Sequence, residues 1–417
     1  MVDDNNTFLL KPEGVKDFLP AETSAKRQAE DRILQILKSW GYQEVITPTL
    51  EYGNIFSADF KAGLEKRMYR FFDGWGGTLV LRPDWTLPLA RLVANHLWEE
   101  SLPLRLGYAG NIFRFETPQS GKQREIFQAG GELLGAAGTE ADSEIIALAV
   151  EALSGVGINN VKICIGHTGF LSSLLENPAV SRAAREKITY FLIKRDFASL
   201  YSFADKLPLD DKSKTSLISL PELRGGQEVI DRAAAFMAPG KRDDFSREMY
   251  TLWDNLQQRD VNSFISFDFS ILRDLNYYTG IIFEIYSPFS GYPLGGGGRY
   301  DRLLQLFKGH LPAVGFALSI DQVLAAWQQK ELIQKPTLDY FIGYEKPFFA
   351  QALSKARQLR GKGFVAALDV ENLPVTQAEE KALTLRAKSL IFFQEKGMLE
   401  KKLGQKVSPG RRFDVNG

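Results

Sequence analysis

Phe113-Arg114-Phe115-Glu116 and, after a polar loop, Arg124-Glu125-Ile126-Phe127-Gln128-Ala129-Gly130-Gly131-Glu132 carry the reading of this chain. Residue types over 104–116 and 124–134 predict two strands around a loop at 117–123. Alternate residues of a strand share a face, so Gln128 and Glu132 point to one side across Gly130. A glycine there lets a ligand approach the backbone. Arg114, on the neighbouring strand, offers a guanidinium fork to a carboxylate or phosphate. The plainer alternative is a polar solvent face of an antiparallel sheet, though paired glycines are unusual on one.

Towards the N-terminus lies Leu81-Arg82-Pro83-Asp84-Trp85-Thr86, at a predicted strand end. A carboxylate two residues before a hydroxyl can hold an ammonium group, by charge and by hydrogen bond. Either residue could instead simply cap the following helix. Towards the C-terminus lie Arg273-Asp274-Leu275-Asn276-Tyr277-Tyr278-Thr279-Gly280 and Gly295-Gly296-Gly297-Gly298-Arg299-Tyr300-Asp301. An arginine beside paired tyrosines offers a charge and an aromatic wall, or else a strand with core aromatics. The glycine run reads as a loop before a helix, and four glycines also suit a flexible linker. No Gly-Lys-Ser/Thr follows, so it is not a phosphate-binding Walker loop.

Around these motifs the chain organises into two domains. Over 1–330, helical periods at 22–40, 86–98 and 143–153 alternate with strand-like runs, among them 44–50 and a hairpin around the Gly-rich turn at 73–77. This predicts an α+β domain. A charged, mostly helical insertion spans about 168–255. Residues 331–336 read as a linker, and 336–417 as a small α/β domain of alternating strands and helices ending in a polar tail from 395.

Composition narrows the function. The 417 residues carry 51 basic and 51 acidic side chains, so no overall field draws the chain to nucleic acid or an anionic membrane. Cys164 is the one cysteine, and with three scattered histidines a zinc site is not expected. The start lacks a signal-peptide pattern, and no apolar run reaches a membrane span. The expectation is a soluble, cytoplasmic protein without cofactor or metal.

The order and spacing of the motifs are more specific than any one of them. With Pro12-Glu13-Gly14-Val15-Lys16-Asp17 and Ala313-Val314-Gly315-Phe316-Ala317, they resemble histidyl-tRNA synthetases and their paralogues over nearly the whole chain. The resemblance implies a class II aminoacyl-tRNA synthetase-like antiparallel sheet flanked by helices, a homodimer, and a shortened anticodon-binding domain at the C-terminus. Carried over residue by residue, the histidine pocket falls on Asp84, Thr86, Arg114, Gln128, Glu132, Arg273, Tyr277 and Tyr278. Histidine needs an anion for its ammonium, a cation for its carboxylate and an acceptor for its imidazole N–H.

The resemblance breaks on the nucleotide side. The last motif of the synthetases supplies an arginine that grips ATP; here the residues are Ser319-Ile320-Asp321-Gln322, and Gln322 carries no charge. Losing one such contact typically costs ~10²–10³ in rate. Lys122 and Phe127 replace an arginine and a histidine, Asn276 an aspartate, and Trp85 a glycine, which places a large ring near the pocket. The basic residues Lys396, Lys401, Lys402, Lys406, Arg411 and Arg412 could touch RNA or belong to a solvated tail. These departures favour the regulatory paralogues. That family assembles with a short-form ATP phosphoribosyltransferase catalytic subunit for the first step of histidine biosynthesis and helps confer feedback by L-histidine. On this resemblance the chain is not an enzyme and no tRNA partner is expected. The alternative is a divergent histidyl-tRNA synthetase charging tRNA(His).

Overall fold

The structure, a computed structural model, describes residues 9–56, 64–116, 123–175, 179–272, 277–327 and 338–403, without the side chains of Lys212 and Pro239. Lys122, Arg273, Leu275, Asn276, the expected linker, and Lys406, Arg411 and Arg412 lie outside the described residues. The chain divides into two units: the larger holds the described residues up to 327 apart from Leu19–Ser24, and the smaller takes Leu19–Ser24 and the described residues from 338.

The larger unit contributes strands β1 (Gln43–Glu44), β2 (Leu50–Tyr52), β3 (Arg70–Phe72), β4 (Thr78–Leu81), β5 (Leu104–Phe113) and β6 (Glu125–Leu134). There follow β7 (Lys162–His167), β8 (Arg224–Gly225), β9 (Ile265–Asp268), β10 (Ile281–Tyr286), β11 (Gly295–Arg299) and β12 (Ala313–Ser319). Nine form one sheet, in the order β1-β5-β6-β12-β11-β10-β7-β9-β8, and β2-β4-β3 form a second, small sheet. The centre of the large sheet is antiparallel as expected. Two pairs, β1 with β5 and β7 with β9, are parallel, so the sheet is mixed.

Helices α1 (Pro20–Ser39), α2 (Thr86–Leu92) and α3 (Thr139–Gly155) belong to this core, and α2 runs on as a π turn over Val93–Leu97. Ala25, Ala29, Ile33 and Leu37 recur every four residues on α1 and are buried, which turns that stripe onto the sheet. On β6 the residues Ala129 and Leu133 join the same core as α1 and α3, the fully buried Leu133 side chain contributing ~1.5–3 kcal/mol. The alternation leaves Gln128, Gly130 and Glu132 on the opposite face.

Between β7 and β9 lie α4 (Thr168–Leu175), α5 (Arg182–Lys194), α6 (Phe197–Asp205), α7 (Asp211–Ile218), α8 (Val229–Ala234) and α9 (Pro239–Gln258). Ser181 caps α5, its hydroxyl accepting from Ala184 N at 3.2 Å, and Asp196 caps α6. Helix α10 (Ile320–Ala326) closes the unit. The smaller unit is β13 (Tyr340–Tyr344), α11 (Phe349–Gly361), β14 (Ala366–Leu368), α12 (Val375–Thr384), β15 (Ser389–Gln394) and β16 (Gly397–Lys402), with sheet order β14-β13-β15-β16. Its two helices pack in separate cores, α11 with Ile342 and Ile391, α12 with Phe341 and Leu390. No helix among the described residues is long and apolar enough to cross a membrane.

Three local expectations are corrected. The glycine run is neither loop nor linker: it is β11, paired on both sides with β10 and β12. Sheet pairing on two sides outweighs glycine's poor strand propensity. The strand expected over 44–50 splits into β1 and β2 around Thr47-Pro48, whose carbonyls meet the Arg82 guanidinium at 2.8 and 3.4 Å. Residues 397–402, read as tail, form β16 antiparallel to β15. Every β16 side chain is exposed, so no alternation marked it as a strand.

Candidate functional site

A cavity of about 370 Å³ opens on the sheet face that carries Gln128 and Glu132. Asp84, Thr86, Arg114, Gln128, Glu132, Tyr277 and Tyr278 all line it. Seven of the eight residues expected at a histidine pocket therefore converge, and Arg273 lies outside the described residues.

Strand register explains the convergence. In β6, Gly130 pairs with Tyr108 of β5 on one side and Ala317 of β12 on the other, and Ala317 pairs with Gly296 of β11. Small residues thus floor the cavity between the Tyr108 ring and β10. Glu132 needs one glycine in particular. A Cβ on Gly315 would lie 1.5 Å from Glu132 Oε2, so no other residue at that position leaves the carboxylate where it is.

Glu132 is 2% exposed. Three hydroxyls surround it: Tyr300 donates to Oε2 at 2.5 Å, Thr86 to Oε1 at 3.2 Å, and Tyr108 lies 3.4 Å from Oε1. Tyr277 OH in turn reaches Thr86 Oγ1 at 3.5 Å. Burial pushes the Glu132 carboxyl up to about 8, against the hydrogen bonds from Tyr300 and Thr86, which favour the charged form. The group therefore changes charge near neutrality. Burial likewise raises the Tyr108, Tyr277 and Tyr300 hydroxyls well above their ordinary range, so they act as neutral donors.

Asp84 bears out the capping reading of its motif. Its Oδ1 accepts from Leu87 N at 3.2 Å, capping the first turn of α2. Its Oδ2 is buried with no hydrogen-bond partner among the described residues. Burial raises this carboxyl to about 6, while the Arg114 guanidinium pulls it down. A buried, half-satisfied carboxylate is costly unless a donor arrives, and a ligand ammonium is such a donor. Arg114 Nε donates to the Pro83 carbonyl at 2.7 Å, which ties the strand end to this motif.

Trp85 lines the cavity as wall, not as plug. Its ring stacks on Tyr108 at 4.7 Å and 17°, with the Arg82 guanidinium 3.6 Å from the ring centroid. Its indole N–H donates to the Gly110 carbonyl at 3.3 Å. Gly110 makes the room: a Cβ there would meet Trp85 Cζ2 at 2.7 Å.

At the start of α10 the side chains satisfy one another. Gln322 Oε1 accepts from the Ser290 hydroxyl at 2.9 Å, and Asp321 Oδ2 accepts from Phe127 N at 3.2 Å. The Lys26 ammonium sits 3.3 Å from the Phe127 ring centroid. Gln322 thus supplies no charge to a triphosphate and its amide oxygen is already engaged.

Four polar lining residues were not anticipated: Tyr108, Tyr300, Lys194 and Glu284. Tyr300 stands in a quoted motif, but only the exit of β11 aims it at Glu132. Tyr108 follows from the β5–β6 register, which one strand alone does not specify. Lys194 comes from the insertion and carried no signal.

Residues 14–323 match the family model described as Histidyl-tRNA synthetase. The chain is 39% identical to an ATP phosphoribosyltransferase regulatory subunit of Moorella thermoacetica, over 91% of this chain and 96% of that protein. It is 35% identical to the protein of the same name from Desulforamulus reducens, over 93% and 96%. Among solved structures, a Bacillus halodurans ATP phosphoribosyltransferase regulatory subunit/histidyl-tRNA synthetase superposes with a TM-score of 0.81 at 31% identity, covering 93% of this chain and 98% of that one. A Nostoc histidyl-tRNA synthetase superposes at 0.75 with 18% identity, over 94% and 97%, a likeness of fold alone.

Proposed function

The chain belongs to the family of ATP phosphoribosyltransferase regulatory subunits, built on the histidyl-tRNA synthetase fold, and from that membership we propose that it is the non-catalytic partner of a short-form catalytic subunit. The assembled enzyme would join ATP to phosphoribosyl pyrophosphate in the first step of histidine biosynthesis, in the cytoplasm. L-Histidine would act as feedback effector through the cavity. Linkage supplies the mechanism: an effector that binds two states of the assembly unequally shifts the balance between them.

One observation carries the histidine reading. Buried Glu132, poised to change charge near neutrality, and buried Asp84, with one uncommitted oxygen, line a single cavity. Asp84 would take the ammonium and Glu132 the imidazole N–H. Tyr277 and Tyr278, their rings 4.8 Å apart, would wall the ring, and Arg114 and Gln128 would face the polar end. Gln322, tied to Ser290, supports a chain that recognises an amino acid without activating it and does not charge tRNA. A homodimer through the larger unit fits the small sheet: Leu50 and Tyr52 on β2 are exposed, as are Ile46, Phe72 and Trp75, an apolar surface of the kind that marks interfaces.

Co-purification with a short-form catalytic subunit, stimulation of its phosphoribosyl transfer, and inhibition by histidine test the proposal together. Glu132→Gln is expected to weaken inhibition while leaving assembly intact; an unchanged inhibition curve would move the effector site elsewhere. Robust histidine-dependent ATP–pyrophosphate exchange by the purified chain would establish the alternative, a synthetase charging tRNA(His).

A further inference from the structure

The cavity has a second polar wall that no motif of the sequence supplies. It comes from the C-terminal end of α5, in the insertion, where Ile193 and Lys194 line the cavity together with Glu284 of β10. The next residue, Arg195, is left-handed, with φ +53°, and ends the helix. Its guanidinium is clamped to the sheet. Nη2 donates to Tyr286 OH at 2.9 Å and to Glu284 Oε2 at 3.4 Å, and Nη1 lies 3.8 Å from Asp268 Oδ2. Asp268 is buried and also pairs with Arg224 at 2.8 Å. A turn pinned at Arg195 holds the preceding side chain, Lys194, at the cavity.

Charge within the cavity shows what that side chain is for. Among the described lining residues the acids are Asp84, Glu132 and Glu284, and the bases Arg114 and Lys194. The charge of Arg114 acts on Asp84, and that of Glu284 is met by Arg195. Lys194 has neither ion pair nor hydrogen bond among the described residues. An amino acid whose ammonium meets Asp84 brings a carboxylate that needs a cation, and a charge-assisted contact discriminates better than a neutral one.

We propose that Lys194 binds the carboxylate of the amino-acid ligand, and that Arg195, clamped to β10, is the residue that positions it. This rests on the reading of the cavity as a histidine site. It makes the helical insertion a direct participant in ligand recognition, through the end of α5.

Calorimetry on the full-length chain, alone and with its catalytic partner, tests this with two probes, L-histidine and histamine, which lacks the carboxylate. Lys194→Met is expected to weaken histidine about tenfold or more and leave histamine unchanged, collapsing the preference between them. Lys194→Arg keeps the charge and is expected to retain most of that preference. Arg195→Met, which releases the clamp, is expected to reduce it by a smaller factor. A histidine-to-histamine ratio unchanged in Lys194→Met overturns the proposal alone. Failure of the wild-type chain and complex to bind histidine overturns the proposal together with the reading beneath it.

Discussion

The Asp84–Glu132 wall of the cavity and the opening turn of α10 descend from one synthetase-like layout and have diverged in opposite ways. In the first, polar groups are buried and strained electrostatically: Glu132 is pushed up to about 8, Asp84 to about 6, and Asp84 Oδ2 has no hydrogen-bond partner among the described residues. In the second, each group has a hydrogen-bonding neighbour, Gln322 in Ser290 and Asp321 in Phe127 N, although burial still raises the Asp321 carboxyl. Buried carboxylates without full compensation destabilise a fold. On the proposed reading, the half of the layout that carries them is the half that meets a ligand.

Four measurements can break or sharpen that contrast. The largest effect is expected in the pH dependence of stability. Glu132 has a folded value of about 8 against an ordinary 4.5. Between those values the native state keeps a proton that the unfolded chain has lost, so stability falls as pH rises through the window, by something on the order of 3–5 kcal/mol. Asp84, raised from 3.8 to about 6, adds in the same direction. Thermal or urea unfolding from pH 5 to 9 should show the fall, and Glu132→Gln should flatten it. An equal slope in the variant would mean that Glu132 is not the group responsible.

Gly315→Ala comes next. The added methyl occupies the seat of Glu132 Oε2, so a stability loss of about 1–3 kcal/mol and loss of histidine binding are expected together. Urea titration and calorimetry read the two; a variant that binds normally would show that Glu132 moves freely. Asp84→Asn is expected to weaken histidine about tenfold, because the ammonium loses its charge partner, with the imidazole-only probe 4-methylimidazole little affected. Equal losses for both probes would assign Asp84 a purely structural role as the α2 cap. The smallest effect belongs to α10. Gln322→Ala removes one hydrogen bond, to Ser290, and should change stability by less than ~1 kcal/mol and histidine affinity not measurably. A large loss of affinity would place the opening turn of α10 inside the effector site after all.

Much of the site was legible because its logic is local. Gln128, Gly130 and Glu132 follow from the two-residue period of a strand, and Asp84 and Thr86 from a strand end running into a helix. The β11 glycines and β16 were misread for the complementary reason. Neither segment carries an apolar alternation, and both become strands only because neighbours offer a hydrogen-bonding edge. Trp85, an apparent obstacle in the sequence, becomes a wall once Gly110, Tyr108 and Arg82 are brought to it.

Sequence alone determined the α+β class, the family resemblance, the helical insertion and seven residues that meet in the cavity, since each depends on short-range periodicity or on motifs that keep their spacing. Tertiary structure alone decided the raised carboxyl of Glu132 and the second wall of the cavity. The surroundings of the carboxyl depend on Tyr300 and Gly315, more than 160 residues away in the chain (168 for Tyr300), which arrive only when β6, β11 and β12 pair. Lys194 faces the same cavity because Arg195 finds Glu284, 89 residues on, and no pattern in a linear chain records that meeting.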